Sequence, residues 1–405
     1  MSFSFEVGTR LEGYGGRTGT IHTPHGDIET PAFIVVGTKA TVKAVLPETV
    51  RELGAQAVLA NAYHLYLQPG ADIVDEAGGL SPFMNWPGPT FTDSGGFQVM
   101  SLGAGFKKVL AMDTTGLQND DVIADGKQRR AHVDEDGVTF VSHLNGDLHR
   151  FTPEVSMNIQ HQLGADIMFA FDELTTLMNT REYQEKSVER THRWAERCLR
   201  EHRRLTQMRA DKPYQALFGV IQGAQYEDLR RQAARGLAGL DVEGQVFDGF
   251  GLGGALEKQR MGEIIGWMVD ELPEGKPRHL LGISEPDDLF AAVEAGADTF
   301  DCVNPSRVAR NAAIYTADGR YNVNTAKHRR AFEPLEDGCD CYTCQHYTRA
   351  YVHHLFKAKE MLASTLATIH NERFTVRLVD DIRAAMRQGR FYDFRDEFLG
   401  RFYSR

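Results

Sequence analysis

Long hydrophobic runs are missing from this 405-residue sequence, and their absence excludes one class of protein. No uninterrupted apolar stretch reaches the roughly 20 residues that a membrane-spanning helix needs. The first residues, Met1 to Glu6, also lack the basic segment and the apolar segment of a secretion signal. We therefore expect a protein of the cytoplasm with no part in a membrane.

Positive charge is scarce as well, since 45 lysines and arginines stand against 56 acidic residues, a formal net charge of −11. Proteins that hold nucleic acid through their overall charge usually carry a basic domain, so the composition argues against that mode. One local basic stretch between Ser306 and Ala331 contains a single acid, Asp318. It is either a solvated face or a local binding surface, and its basic residues are Arg307, Arg310, Arg320, Lys327, Arg329 and Arg330.

Cysteine is rare, yet three of the five cysteines fall in the segment CDCYTC, as Cys339, Cys341 and Cys344. Without a secretion signal, such clustering favours a metal over disulfides. Zn²⁺ needs a fourth ligand, and the nearby histidines are His346, His353, His354 and His370. One straight helix over residues 347–371 would leave His370 roughly 35 Å from the thiols. A reversal near residues 357–359 would instead return His370 to them, and a site closed by three cysteines and one histidine would be structural.

Eight short apolar, β-prone segments recur along the chain, most of them separated by amphipathic helical patterns. The helical patterns cover residues 47–54, 180–205, 226–240, 258–272 and 285–296. Alternation of this kind predicts a parallel sheet, and eight repeats predict a closed α/β fold, the (β/α)₈ TIM barrel. An open doubly wound sheet is the alternative, although the first turn lacks a G-x-G-x-x-G. The eight segments are 31–38, 56–65, 90–99, 166–173, 215–223, 247–254, 278–284 and 298–306.

Two interruptions suggest how the chain is divided. A polar insertion at about 103–150 is too long for an ordinary loop, and it carries Lys107, Lys108, Lys127, Arg129 and Arg130. We predict a barrel core over residues 1–310, a zinc-binding subdomain over 311–374, and C-terminal helices over 375–405 that close the barrel. The closing helix is expected at roughly 380–391.

Polar or glycine residues follow the predicted strands at the end where barrel enzymes bind their substrates. They are Asp93, Asp172, Gln222, Gly253, Gly254 and Asp301. Alternation along ADTFDCV directs Asp301 towards the mouth and Cys302 away from it, which argues against Cys302 as a nucleophile. Two carboxylates, one nucleophile and one acid/base, can cleave a bond at an anomeric carbon. The alternative is that these aspartates only cap the helices that follow.

An ordered set of motifs resembles the tRNA-guanine transglycosylases, bacterial type, over nearly the whole chain. The motifs are TPHGDIETPAFIVVGT (23–38), NAYHLYLQPG (61–70), DSGGFQVMSLG (93–103), MFAFDE (168–173), FGVIQG (218–223), FDCVNPSRVARN (300–311), CDCYTC and RAYVHHL (349–355). The resemblance implies a barrel with a zinc-binding insertion. It also implies exchange of guanine at the wobble position of GUN-anticodon tRNAs for a 7-deazaguanine.

The resemblance also assigns roles to residues of this chain. Asp301 is implied as the nucleophile that holds ribose C1′ covalently, and Asp93 as the general acid/base. The implied base-binding residues are Ser94, Phe97, Asp172, Gln222, Gly254, Ala255 and Leu281, with Arg307 and Arg310 on the anticodon loop. Cys339, Cys341, Cys344 and His370 match the zinc ligands, one Zn²⁺ per chain, and Tyr347, Tyr351 and His354 match a homodimer face.

Two departures and three rival functions stay open. The segment GGALEK (253–258) is shorter than the usual G-G-L-x-x-G-E, so the incoming base is either preQ1 or queuine, and the insertion around 111–135 is longer than usual. A barrel glycosidase would use the same carboxylates, but such sugar sites usually carry more tryptophan than the 3 here. The other rivals are a non-catalytic RNA-binding subunit and a relative that acts on DNA or on another tRNA position.

Overall fold

A computed structural model describes residues 3–104 and 131–404 of the chain. Its strands are β1 (Ser4–Arg10), β2 (Arg17–Thr23), β3 (Gly26–Thr30), β4 (Ala32–Val36), β5 (Val58–Ala60), β6 (Thr90–Thr92), β7 (Ala131–Val133), β8 (Val138–Val141), β9 (Leu148–Phe151), β10 (Ile167–Phe169), β11 (Ala216–Ile221), β12 (Gly249–Leu252), β13 (Arg278–Leu280), β14 (Thr299–Cys302), β15 (Ala313–Thr316) and β16 (Gly319–Asn322).

Eight of these strands close into a barrel, which confirms the predicted fold class. Going round the barrel, β4, β5, β6, β10, β11, β12, β13 and β14 follow in chain order, and β14 pairs with β4. Every pair is parallel, and each barrel strand lies within one of the eight predicted segments. The parallel order brings the carboxyl ends of all eight strands together at one mouth.

The barrel interior is apolar, and its pattern sets which residues reach the mouth. Ile34, Phe91, Phe169 and Phe218 belong to one buried cluster inside it. In the register of β14 with β4, Asp301 lies level with Ile34, whereas Phe300 lies level with Phe33 in the outer core. Asp301 therefore points inwards, as the period-two alternation predicted.

Helices cover the outside of the barrel and form most of the C-terminal part. They are α1 (Pro47–Glu52), α2 (Ala62–Leu67), α3 (Ala71–Glu76), α4 (Leu80–Phe83), α5 (Gly96–Ala104), α6 (Pro153–Leu163), α7 (Arg181–Met208), α8 (Glu227–Ala238), α9 (Met261–Val269), α10 (Pro286–Ala295), α11 (Asn304–Ala309), α12 (Tyr342–His346), α13 (Arg349–Ala358), α14 (Met361–Arg387) and α15 (Phe391–Phe402), with 3₁₀ turns at Lys258–Arg260 and Ala326–Arg330.

The closing helix differs from the expectation of one helix at about 380–391, which is wrong in its bounds. Residues up to Arg387 belong to α14, a 27-residue helix that begins at Met361, and α15 follows as a separate helix. Helix α14 packs against β4 and α10. The same helix carries His370, so the metal cluster and the outer layer of the barrel share one rigid element. The division at residues 310 and 374 stays a prediction.

In the described part of the chain, three small antiparallel sheets lie outside the barrel, and the smallest of them pairs β15 with β16. Strands β1 to β3 cover its N-terminal end, where Ile21 and Ile28 join the interior cluster. Strands β7 to β9 form the described part of the predicted insertion. The insertion residues Lys107, Lys108, Lys127, Arg129 and Arg130 lie outside the described residues. Over the ranges that the structure covers, no helix is long and apolar enough to cross a membrane.

Candidate active site and metal centre

Asp301 is held at the mouth by groups from the neighbouring strand. Its Oδ1 lies 3.0 Å from His279 Nε2 and accepts the Gly282 N–H at 3.2 Å. His279 is fully buried and its other ring nitrogen lies 2.9 Å from Thr299 Oγ1, so the ring is fixed at both ends. Oδ2 has no hydrogen-bond partner in the described part of the chain, which leaves one carboxylate oxygen available for a ligand. Burial raises the pKa of Cys302 to about 11, so its thiol stays protonated at neutral pH.

Asp93 follows β6 and is held by donors from the residues after β5 and from its own loop. Its carboxylate accepts hydrogen bonds from the Ala62 N–H at 2.9 Å, from the Gly95 N–H at 3.2 Å and from the Asn61 side-chain amide. Burial raises the pKa of Asp93 to about 7, and the charge of Asp301 adds to the rise, while the three donors oppose it. A carboxyl group whose pKa lies near 7 can both give and take a proton at neutral pH.

Asp172 and Gln222 form a hydrogen-bonded pair between the two neighbouring strand ends. Gln222 Nε2 donates to Asp172 Oδ2 at 2.6 Å, and the Ser94 hydroxyl donates to Oδ1 at 3.4 Å. Burial raises the pKa of Asp172 to about 6, against the opposing effect of these two bonds, so the group is mostly ionised at pH 7. Gln222 Oε1 is buried with no partner among the described residues. The pair thus offers acceptors, and one remaining amide hydrogen, to a planar polar ligand.

Gly254 lies beside Gln222 at the edge of the site. A side chain at this position would collide with Gln222. The φ of Gly254 is +80°, and a Cβ there would lie 2.5 Å from Gln222 Oε1. We expect Gly254→Ala to displace Gln222 from Asp172 and to raise the KM about tenfold or more for the base that the motif resemblance implies. Left-handed backbone at a non-glycine residue adds a stability cost of about 1 kcal/mol.

Gly266→Ala is the matched control for that prediction. Gly266 lies within α9, and a Cβ there meets nothing within 4 Å. The same substitution should leave the KM unchanged and stabilise the helix slightly. Steady-state kinetics over base concentration, with thermal unfolding of both variants, checks the pair. Equal KM values for the two variants would mean that Gly254 does not border the base.

Arg230 holds the ends of β11 and β12 in place beneath Gln222 and Gly254. The sequence did not predict this role. The Arg230 guanidinium is fully buried and donates to the carbonyls of Ile221, Ala224 and Gly253. These carbonyls terminate β11 and β12, so one side chain fixes the strand ends that carry Gln222 and Gly254. Its signal in the sequence is weak, because arginines at helical spacing are usually exposed.

The remaining predicted base-binding residues lie at the rim. Phe97 is the second residue of α5 and is 47% exposed, so part of its ring is accessible to a ligand. Ala255 is buried directly after Gly254, and Leu281 is half-buried next to Gly282. All three follow barrel strands at the same mouth, β6, β12 and β13 respectively.

The basic stretch divides into paired and unpaired side chains. Arg320 forms an ion pair with Glu285 and lies over the Tyr315 ring, so it is used within the protein. Arg307 and Arg310 lie on or beside α11, directly after β14. Arg310 donates to the Ser306 carbonyl at 2.9 Å and interacts with the charge of the buried Glu372. Within the described ranges Arg307, Lys327, Arg329 and Arg330 form no ion pair.

The cysteine cluster forms as the helical hairpin predicted. Helix α13 ends at Ala358, Lys359 takes a left-handed conformation, and α14 returns His370 to the thiols. His370 Nδ1 lies 3.6, 3.6 and 3.3 Å from the sulfurs of Cys339, Cys341 and Cys344. Tetrahedral Zn²⁺ with ordinary bond lengths separates sulfur and nitrogen ligands by about 3.6 Å. His370 Nε2 donates to the Tyr315 carbonyl at 2.7 Å, which leaves Nδ1 unprotonated towards the metal position. The four residues fit a metal.

An open cleft of about 790 Å³ lies at the other end of the barrel. His25, Glu48, Arg51 and Trp86 are among its lining residues. None of the predicted site residues borders it, so it is separate from the mouth.

Sequence comparison agrees with the motif resemblance. The profile of the family described as queuine tRNA-ribosyltransferase matches residues 12–404. A queuine tRNA-ribosyltransferase of Pelotomaculum thermopropionicum is 46% identical over 402 residues, 99% of each chain. Those of Geobacillus kaustophilus and Bacillus subtilis are each 44% identical, over 98% and 96% of this chain and 95% and 93% of their own.

Proposed function

This chain belongs to the queuine tRNA-ribosyltransferase family, and from that premise we propose that it exchanges guanine at the wobble position of GUN-anticodon tRNAs for a 7-deazaguanine. The observation that carries the proposal is the pair of carboxylates at one mouth. Asp301 offers a free Oδ2, and Asp93 at the same mouth has a pKa raised to about 7. Transfer between two bases at one anomeric carbon needs these two roles.

The proposed reaction runs in two balanced displacements. Asp301 Oδ2 forms a bond to ribose C1′ as the C1′–N9 bond to guanine breaks, and Asp93 gives its proton to the departing purine. The incoming base then loses its N9 proton to Asp93 and attacks C1′, which breaks the bond to Asp301. His279 and Gly282 stabilise the Asp301 carboxylate before attack and after release.

Purine recognition is assigned to the opposite side of the mouth. Asp172 accepts from N1–H and the exocyclic amine, while the remaining Gln222 amide hydrogen and the Gly254 N–H meet O6. Phe97 stacks on the base, with Ser94, Ala255 and Leu281 around it. The shortened segment after Gly254 borders the 7-substituent, so preQ1 and queuine are the two candidates for the incoming base.

The pH dependence of the two half-reactions should have opposite signs. Adduct formation in single turnovers is expected to slow as the pH rises through about 7, because only protonated Asp93 can give a proton. Release by the incoming base should accelerate over the same range, because it needs the carboxylate. Asn61→Ala removes a donor that stabilises the charged form, so both inflections should move to higher pH.

Stopped-flow or quench measurements of both half-reactions from pH 5.5 to about 8.5 check this prediction. Asn61 also accepts the His64 N–H as the cap of α2, so the unfolding midpoint of the variant is recorded alongside. An inflection that does not move in Asn61→Ala would assign the titration to a group other than Asp93.

The decisive experiment for the function is mass spectrometry of tRNA. Transcripts with and without a GUN anticodon are incubated with the protein and with preQ1 or queuine in turn. We expect the mass change of base replacement at the wobble guanine of GUN transcripts only, and with one base preferred. Replacement in DNA, at another position, or no replacement would contradict the proposal.

Zn²⁺ is the proposed metal of the four-ligand cluster, and it would be structural because three thiolates and one imidazole leave no open position. We also propose a homodimer through α13 and the residues before it, where the rings of Tyr347 and Tyr351 stack at 5.6 Å and Tyr351 is 40% exposed. His354 lies beside Tyr351 on the same helix.

Arg307 and Arg310 are assigned to the anticodon loop. The location in the cytoplasm stays a prediction.

A further inference from the structure

Charged groups are distributed unevenly around the barrel mouth. The residues proposed to read the base follow β6, β10, β11, β12 and β13. Basic residues with no ion pair in the described ranges follow the remaining strands β14, β4 and β5 or lie close to them, and they include Arg307, Lys39 and Lys43. A nucleotide whose base lies on the first side must direct its sugar and phosphates towards the second.

The two lysines belong to a loop that is tied to the catalytic end of the barrel. The Asn61 N–H donates to the Thr38 carbonyl at 3.1 Å, directly before Lys39, and the Asn61 side chain holds Asp93. Lys39 Nζ approaches Gln68 Oε1 at 3.4 Å. Both lysines are exposed, and within the described ranges neither has an acidic partner.

The loop is also held in an unusual conformation. Ala40 and Ala44, each directly after a lysine, have φ values of 53° and 66°. Non-glycine residues adopt this region at a cost of about 1 kcal/mol each, and such strain gathers at binding sites. The repeated Lys-Ala step therefore presents two cations from a defined backbone.

His64 and His143 form the wall next to these lysines. Their rings lie 5.6 Å apart, and the Tyr63 hydroxyl lies 2.9 Å from His143 Nδ1. Burial lowers the pKa of His64 to about 4, and the charges of His143, Lys39 and Lys43 add to that effect. His64 is therefore neutral at pH 7, and the lysines supply the positive charge of this edge.

We propose that Lys39 and Lys43 bind a backbone phosphate of the RNA loop beside the exchanged nucleotide, on the side of the mouth opposite the base-reading residues. The inference rests on the proposed function, because it takes single-stranded RNA as the ligand. An acidic protein repels phosphate as a whole, so unpaired cations next to the reacting sugar give the RNA a local attachment. Together with Arg307 and Arg310 they would track the strand across β14, β4 and β5.

The test measures affinity for an anticodon stem-loop RNA at several salt concentrations. Each phosphate that is neutralised on single-stranded RNA contributes about 0.7 to the log–log slope, so losing this one phosphate contact in Lys39→Ala/Lys43→Ala should flatten the slope by about 0.7 and weaken binding roughly tenfold at low salt. The matched control is Lys212→Ala/Lys276→Ala, which removes the same charge before β11 and β13, at the far end of the barrel. The control and Lys39→Arg/Lys43→Arg should keep the wild-type slope.

Two results would contradict the inference, and one separate assay tests the proposed function. An unchanged slope in Lys39→Ala/Lys43→Ala overturns the inference. A second contradicting result is a loss of RNA affinity only under conditions in which sedimentation shows that the variant has dissociated into monomers. The lysines would then contact a second copy of the chain. Base exchange by the wild-type protein in the same stem-loop is assayed separately, so that a failure of the proposed function is seen independently of the slope.

Discussion

Asp301→Asn should abolish base exchange, with a loss on the order of 10⁴-fold or more, because an amide cannot act as the nucleophile. The substitution keeps the shape of the side chain, and the amide oxygen can still accept the Gly282 N–H. The fold should therefore persist while the protein loses the covalent adduct with ribose. Denaturing gel electrophoresis of protein mixed with substrate tRNA should show a shifted band for the wild type and none for the variant.

Asp270→Asn serves as the control for the same chemical change. Asp270 lies at the end of α9 in an exposed ion pair with Arg231, away from the mouth. Its variant should form the adduct at the wild-type rate, and circular dichroism should show the same fold for all three proteins. Persistence of the adduct in Asp301→Asn would transfer the nucleophile to another residue, with Asp93 the first to examine.

His370→Ala should lose the metal and with it much of the stability of the C-terminal part of the chain. Structural zinc contributes on the order of 10 kcal/mol to the folding of small cysteine-rich units, and the variant lacks one of four ligands. His370 is fully buried, so the substitution also leaves the Tyr315 carbonyl without its donor. We expect metal content to fall from one per chain to near zero, with a lower unfolding midpoint.

His346→Ala distinguishes a ligand from a bystander. His346 lies two residues after Cys344 and was one of the histidines that the sequence allowed, but its ring bonds the Tyr342 carbonyl and the residue is exposed. Its variant should keep one Zn²⁺ per chain and the wild-type midpoint, as measured by elemental analysis and calorimetry. Metal retention in His370→Ala, or its loss in His346→Ala, would contradict the assigned ligand set.

The sequence predicted the barrel because each strand carries its own local signal. A buried parallel strand is a continuous apolar run, and the helices between the runs are amphipathic, so the count of eight needed no long-range information. The bounds of α14 failed for the opposite reason. Helix α14 packs against the cysteine cluster at His370 and against β2 and β4 further along. Because its buried side faces different elements along its length, local periodicity does not show where the helix begins.

The candidate site was predicted in its strand-end carboxylates and its cysteines, but not in the groups that hold them. Asp301 follows from alternation, whereas His279 reaches it only through the register of β13 with β14. Asn61 meets Asp93 from 32 positions away in the chain. These partners depend on which parallel strands are neighbours and how they are shifted, and neither is encoded in local pattern.

The closure of the barrel has a consequence for how the protein is made. β4, the first barrel strand, pairs with β14, which begins at residue 299, and is covered by α14, which ends at residue 387. A chain still emerging from the ribosome therefore holds seven strands as an open sheet with two unpaired edges until β14 has been synthesised, and β4 lacks its covering helix until α14 follows. Contacts of such long separation form slowly, and open edges invite aggregation. Nascent or truncated chains that stop before residue 361 should accordingly depend on chaperones and be degraded by proteases more than the 405-residue chain.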